Sequence, residues 1–168
     1  MQVRAGTLAD LPAVQAIYAH HVLTGTASFE LEAPSLAEMT GRFRHVVDEG
    51  RYPFLVAADG AGVLGFAYAC EFRARPAYRH TCENSVYIAA DVLRRGAGLA
   101  LMRALIPACE ARGLREMLAV IGDSGNHGSI GLHQALGFTH VGTFRNVGFK
   151  FGRWLDVVLM QRSLQAVQ

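Results

Sequence analysis

The run Ser85 to Ile88, then Arg94-Arg95-Gly96-Ala97-Gly98, then apolar residues at helical spacing, constrains this chain more than any other feature. Glu83 to Ala89 reads as a strand with Val86, Tyr87 and Ile88 as its β-formers, while Leu99, Met102, Leu105 or Ile106 and Cys109 share one helical face up to Gly113. A strand passed to a helix through a glycine turn is a unit of α/β domains. The first turn of such a helix offers unpaired N–H groups and the positive end of a dipole, which suits phosphate or pyrophosphate. The turn lacks the third glycine of a dinucleotide fold and the Lys-Ser/Thr of a phosphate loop, so a turn shaped only for close packing is the competing reading. Pro107 is expected to kink the helix or remove one backbone bond.

The other elements follow from local signals. Met1 to Arg4 reads as a strand, and Thr7 with Asp10 caps a helix carrying Leu11, Val14, Ile17 and Tyr18 on one face before Gly25. Ser35 and Glu38 repeat that arrangement for a helix with Leu36, Met39, Phe43 and Val46 or Val47 inward, stopped at Gly50. Strands Phe54 to Ala58 and Val63 to Phe72 flank the turn Asp59-Gly60-Ala61-Gly62, and a polar loop runs from Arg73 to Thr81. Met117 to Ile121 is a buried-type strand, Ser129 to Leu136 a short helix closed by Gly137, and Phe138 to Phe144 and Trp154 to Leu164 are strands around a Gly148 to Gly152 turn region. The predicted class is α/β, in the order β-α-α-β-β-β-α-β-α-β-β, as one domain over residues 1–168.

Composition narrows the function. With 51% apolar and 18% charged residues the chain is too hydrophobic to be disordered. Its 16 basic and 14 acidic residues are interspersed, so a nucleic-acid footprint is not indicated. No apolar run reaches the ~18 residues that span a bilayer, and no export signal opens the chain. Cys70, Cys82 and Cys109 have no metal-ligand spacing and read as reduced core thiols of a cytoplasmic protein, with no metal expected. Lys150 is the one lysine.

LRRGAGLALM and NHGSIGLHQALGF together resemble the two acetyl-CoA-binding motifs of the GNAT acyltransferase superfamily. FRARPAYRHTCENSVYI, AVIGDSGNHGSIGLHQALGF and VGFKFGRWLDVVLMQ are similar to its phosphinothricin and methionine sulfoximine/sulfone N-acetyltransferase group, and the likeness extends from Val3 to Leu164. One departure is Leu93, where the superfamily usually carries Gln or Arg. The resemblance implies a mixed, mostly antiparallel central sheet flanked by helices. It also implies direct acetyl transfer from acetyl-CoA to the α-amino group of a small amino acid or analogue, within a homodimer. The cofactor contacts it implies are Val86, Tyr87, Ile88, Arg94, Arg95, Gly96, Ala97, Gly98, Leu99, Asn126, Ser129 and His133.

An amine arrives largely as ammonium, so a base must take its proton, and the group's proposed base matches Glu83 in CENSVYI; the competing reading is a salt-bridged surface Glu. N–H groups of Val86, Tyr87 and Ile88 would meet the negative charge developing on the thioester carbonyl. His133 stands where many members carry Tyr; it is either the proton donor to the departing thiolate or a satisfied core histidine. His20, His21, His45, His80, His127 and His140 read as solvated. Arg75 foremost, with Arg73 and Tyr78, is placed by the resemblance to hold the substrate carboxylate; a loop charged only for solubility is the alternative. Lys150 would either hold an anionic substrate or pair with an acid. Rival functions are acyl transfer to another amine, such as a peptide N-terminus or a polyamine, and a catalytically silent acetyl-CoA sensor. Few acids near the substrate loop argue against a polyamine.

Overall fold

The computed structural model describes residues 1–164; the one-domain reading of 165–168 lies outside the described residues. Seven strands form one sheet: β1 (Gln2–Ala5), β2 (Phe54–Asp59), β3 (Gly62–Glu71), β4 (Thr81–Ile88), β5 (Glu116–Gly122), β6 (Thr139–Lys150) and β7 (Arg153–Ser163). Their spatial order is β1-β2-β3-β4-β5-β7-β6, and every pairing is antiparallel except β4 with β5. The mixed, mostly antiparallel α/β sheet expected from the sequence is thus present.

Four α-helices cover the sheet: α1 (Leu11–Thr24), α2 (Leu36–Arg44), α3 (Ala97–Glu110) and α4 (His127–Ala135). Ser35 Oγ accepts from the Glu38 N–H (3.2 Å), and Glu38 Oε2 accepts from the Ser35 N–H (2.6 Å), so α2 begins where its capping box lies. Thr7 and Asp10 also form a capping box, but it opens a short 3₁₀ turn ahead of α1. α2 continues as a π-helical turn over His45–Glu49, which brings Val46 into the core.

One core lies under α1 and α2, with Leu11, Val14, Ile17, Met39, Phe43, Phe54, Val56 and Phe66. The other lies under α3, where Leu101, Met102, Leu105, Ile106 and Cys109 meet Ala67, Ala69, Cys82 and Met117. Each large side chain of this kind stabilises the fold by roughly 1.5–3 kcal/mol. Leu99, expected on the inward stripe, is only half-buried, because it lies in the first turn of α3, which faces a cleft. Pro107 lies within α3, so the Arg103 carbonyl has no N–H to accept from at that position.

The Gly148 to Gly152 turn expectation is corrected. β6 runs on to Lys150 through a bulge between Phe144 and Gly148, and only Phe151 and Gly152, both at positive φ, make the turn. Gly148 is small for packing, since a Cβ there would overlap the Phe29 ring.

Candidate active site

β4 and β5 pair from Thr81↔Glu116 to Asn84↔Ala119 and then part. Beyond that point Ser85 to Ile88 pair only with β3, and Val120 to Gly122 only with β7. The split leaves backbone polar groups of Val86 and Ile88 on the β5-facing edge without a ladder partner, which a ligand amide could satisfy as an added strand would, whereas those of Tyr87, expected to face the thioester, turn to Phe66 on β3. A cleft of about 730 Å³ fills the gap.

Its α3 side is the glycine turn. Gly96 has φ +82°, a left-handed value that explains glycine there, and it caps α3. Arg94 is also left-handed at φ +64°. Arg94, Gly96, Ala97, Gly98 and Leu99 line the cleft with Leu93, while Arg95 is exposed beside them. Asn126 caps α4, its Oδ1 accepting from the Ser129 N–H (3.2 Å), so a second helix N-terminus faces the same space. Two helix starts, a glycine with no Cβ and a free strand edge fit a pyrophosphate and a pantetheine arm, as acetyl-CoA would present them.

Alternation on β4 separates two faces. Cys82, Val86 and Ile88 pack under α3, whereas Tyr87 packs against Tyr18 (4.9 Å between centroids) and Phe66 under α1 and α2. Glu83 shares the Tyr87 face, is half-buried, and has its carboxyl pushed above the usual carboxylate range by burial. A raised carboxyl is a stronger base once ionised.

Asn84 points the other way and ties the apex of the split. Its Nδ2 donates to the Leu118 carbonyl (2.9 Å), and its Oδ1 faces His133 Nε2 (3.0 Å). His133 Nδ1 donates to the Ser129 carbonyl (2.8 Å), and the ring is 2% exposed. Both ring nitrogens are thus engaged by neighbouring oxygens, and the Ser129 hydroxyl also lies 3.4 Å from Nδ1. Burial opposes the charge and pulls the His133 pKa down, which favours the neutral ring.

The substrate-loop residues lie outside the cleft wall. Arg73, Arg75 and Tyr78 are exposed around a 3₁₀ turn at Pro76–Tyr78, with the Arg73 guanidinium 5.0 Å from the Phe72 ring and Tyr78 edge-on to it at 5.4 Å. Lys150 is 3% exposed and its Nζ donates to the Ser28 carbonyl (2.7 Å), a partner neither expectation for it named.

The solvated reading of His21 is corrected. It is half-buried in the cleft wall, and its Nε2 donates to the Ile88 carbonyl (2.8 Å), fixing the end of β4. Thr26 and Asp123, also on the wall and also missed, are joined by a 2.7 Å hydrogen bond. No local signal marks these contacts, because they close over 67 and 97 residues. His20, His45, His80, His127 and His140 are exposed.

A sheet split beside a glycine-capped helix defines an acyl-CoA type of cleft, and residues 3–159 match the acetyltransferase (GNAT) domain family. The chain belongs to the GNAT acetyltransferases. It is similar to phosphinothricin N-acetyltransferase of Alcaligenes faecalis, at 54% identity over 94% of this chain and 79% of that protein. It is also similar to the L-methionine sulfoximine/L-methionine sulfone acetyltransferase of Pseudomonas aeruginosa, at 44% identity over 96% and 94%. The crystal structure of a phosphinothricin acetyltransferase from Sinorhizobium meliloti in complex with AcCoA superposes with a TM-score of 0.93, at 44% identity over 97% of this chain and 88% of that one.

Proposed function

We propose that this protein acetylates the α-amino group of a small amino acid or analogue of the phosphinothricin, methionine sulfoximine or methionine sulfone type, using acetyl-CoA directly. One observation carries the reading: a half-buried Glu83 with a raised carboxyl sits two residues before the strand edge that the split leaves free. Acetyl-CoA supplies the activated acetyl group. The N–H groups at the starts of α3 and α4 hold its phosphates, and the β5-facing edge of Val86 to Ile88 aligns its amide arm and the thioester carbonyl.

Glu83 takes the ammonium proton of the acceptor on the α1–α2 face, directly or through water, so that the amine can attack through the split. His133 lies on the α3–α4 side, against the cleft wall, where the sulfur departs. It serves as the proton donor to the thiolate from Nε2, whose hydrogen bond to Asn84 opens as the sulfur leaves. Arg75, with Arg73 and Tyr78, receives the carboxylate of the acceptor, because the planar guanidinium accommodates both oxygens at once.

The chain acts as one domain in a cytoplasmic homodimer. Supporting the dimer, the β6–β7 hairpin exposes Phe144, Val147, Phe149, Phe151 and Trp154 by 55% or more each, at the open edge of the sheet. Three free cysteines suit a reducing compartment, and no helix among the described residues is long and apolar enough to cross a membrane.

Paired acceptors test the substrate class: methionine sulfone should be acetylated far better than its decarboxylated amine, and Arg75→Lys should raise KM for the amino acid while leaving that for acetyl-CoA unchanged. Equal use of the two acceptors by the parent would replace the amino-acid assignment with a general amine acetyltransferase.

A further inference from the structure

The connection from α1 to α2 crosses the split. Gly25, Thr26 and Ala27 form part of the cleft wall together with Val86 to Ile88 on β4, Gly122 at the end of β5 and Asp123 just after it. Its next residues are fixed from both halves of the divided sheet. On the α1–α2 side, Tyr18 Oη and Ser28 Oγ share a hydrogen bond (3.0 Å), and Arg42 donates to Glu30 Oε1 (2.6 Å). On the other side Thr26 Oγ1 donates to Asp123 Oδ2 (2.7 Å), which Arg153 also reaches (3.0 Å), and Lys150 Nζ donates to the Ser28 carbonyl (2.7 Å).

Packing makes the same link. The Phe29 ring fills the space that a Cβ would need at Gly122 and at Gly148, and a Cβ on Gly122 would also lie 2.7 Å from the Thr26 carbonyl. Thr26 to Glu30 is therefore a strap drawn across the point where β4 and β5 no longer hold each other.

Resting on the acetyltransferase reading, we propose that this strap sets the length of acyl group the enzyme transfers, with Thr26 and Ala27 as its wall and Asp123 and Lys150 as positioning residues that hold it closed. Phosphates bind on the α3 face, whereas Glu83 lies on the α1–α2 face, so the acyl carbon must come through the split. On that side the tail of the acyl chain meets Gly25 to Ala27. A two-carbon group ends before the wall, and longer chains must displace a segment with five anchors. Lys150 thereby acts on donor choice through Ser28 without touching the donor.

The test is a series of acetyl-, propionyl- and butyryl-CoA with methionine sulfone as acceptor, on the parent and on Thr26→Val and Lys150→Met, alone and combined. Thr26→Val keeps the side-chain shape and removes only the hydroxyl, so it serves even if Lys150→Met does not fold. CoA affinity by calorimetry reports on the cleft independently of turnover. The parent should discriminate against each added methylene by about tenfold or more in kcat/KM, and the variants should bind CoA normally while raising the butyryl to acetyl ratio by about tenfold. A parent that uses butyryl-CoA as well as acetyl-CoA, or folded CoA-binding variants with the parental ratio, would overturn the strap's role and leave the transferase reading intact. A parent that binds CoA but transfers no acyl group to any tested amine overturns the transferase reading and, with it, the strap's role.

Discussion

At the scale of single residues, the proposed mechanism rests most on Glu83 as the base. Glu83→Gln preserves volume and cofactor binding but removes the base, so turnover at neutral pH should fall by roughly 10²- to 10⁴-fold. Because burial raises its carboxyl, the parent's kcat/KM for the acceptor should climb with pH through a value above the ordinary ~4.3 of Glu, and the variant should lack that limb. The deficit of the variant should shrink at high pH, where free amine is abundant. Initial rates across pH decide it, and near-parental turnover of Glu83→Gln at pH 7 would show the proton leaving by another route. The place of Glu83 on β4 was legible in the sequence because its motif is contiguous, CENSVYI. His21, Asp123 and the true partner of Lys150 were not, since each acts through a contact 67 to 122 residues away that leaves no periodicity behind.

At the scale of elements, the glycine turn and α3 are the proposed phosphate cradle, and the two glycines differ in a useful way. Gly96 needs its left-handed φ of +82°, so any replacement there strains the backbone. A Cβ at Gly98 would meet Leu132 at 3.4 Å and Ile88 at 3.7 Å, ordinary contacts, so Gly98→Val should fold and yet crowd the cleft. Calorimetry should find its affinity for CoA reduced at least about tenfold, or ~1.4 kcal/mol. Unchanged affinity in the folded variant would remove the pyrophosphate from this turn. Strand, turn and helix were readable here because propensity, glycine placement and apolar spacing agree along one stretch. The β6–β7 hairpin was less readable: Gly148 looks like a turn residue in sequence, but it is a strand residue vacated for Phe29, a fact of packing between distant segments.

At the scale of the whole molecule, the exposed aromatics of β6 and β7 are the feature a lone subunit explains least. Trp154 on β7 is 63% exposed beside Phe149, with centroids 5.0 Å apart, and Phe149 belongs to β6, the edge strand whose backbone has a free side. Covering it with a second copy would bury this apolar surface. Trp154→Arg with Phe149→Glu should therefore shift sedimentation from dimer to monomer without unfolding the sheet, and a parent that sediments as a monomer at micromolar concentration would contradict the dimer. The central claim is more direct still: acetyl is transferred to an amino acid's α-nitrogen. The measurement is thiol release from acetyl-CoA, followed together with mass analysis of the acceptor, across phosphinothricin, methionine sulfone, methionine sulfoximine and the natural amino acids. One or more of these acceptors should release thiol in step with an N-acetylated product, whereas CoA binding with no thiol release from any of them would mark a silent acetyl-CoA binder and contradict the proposed function.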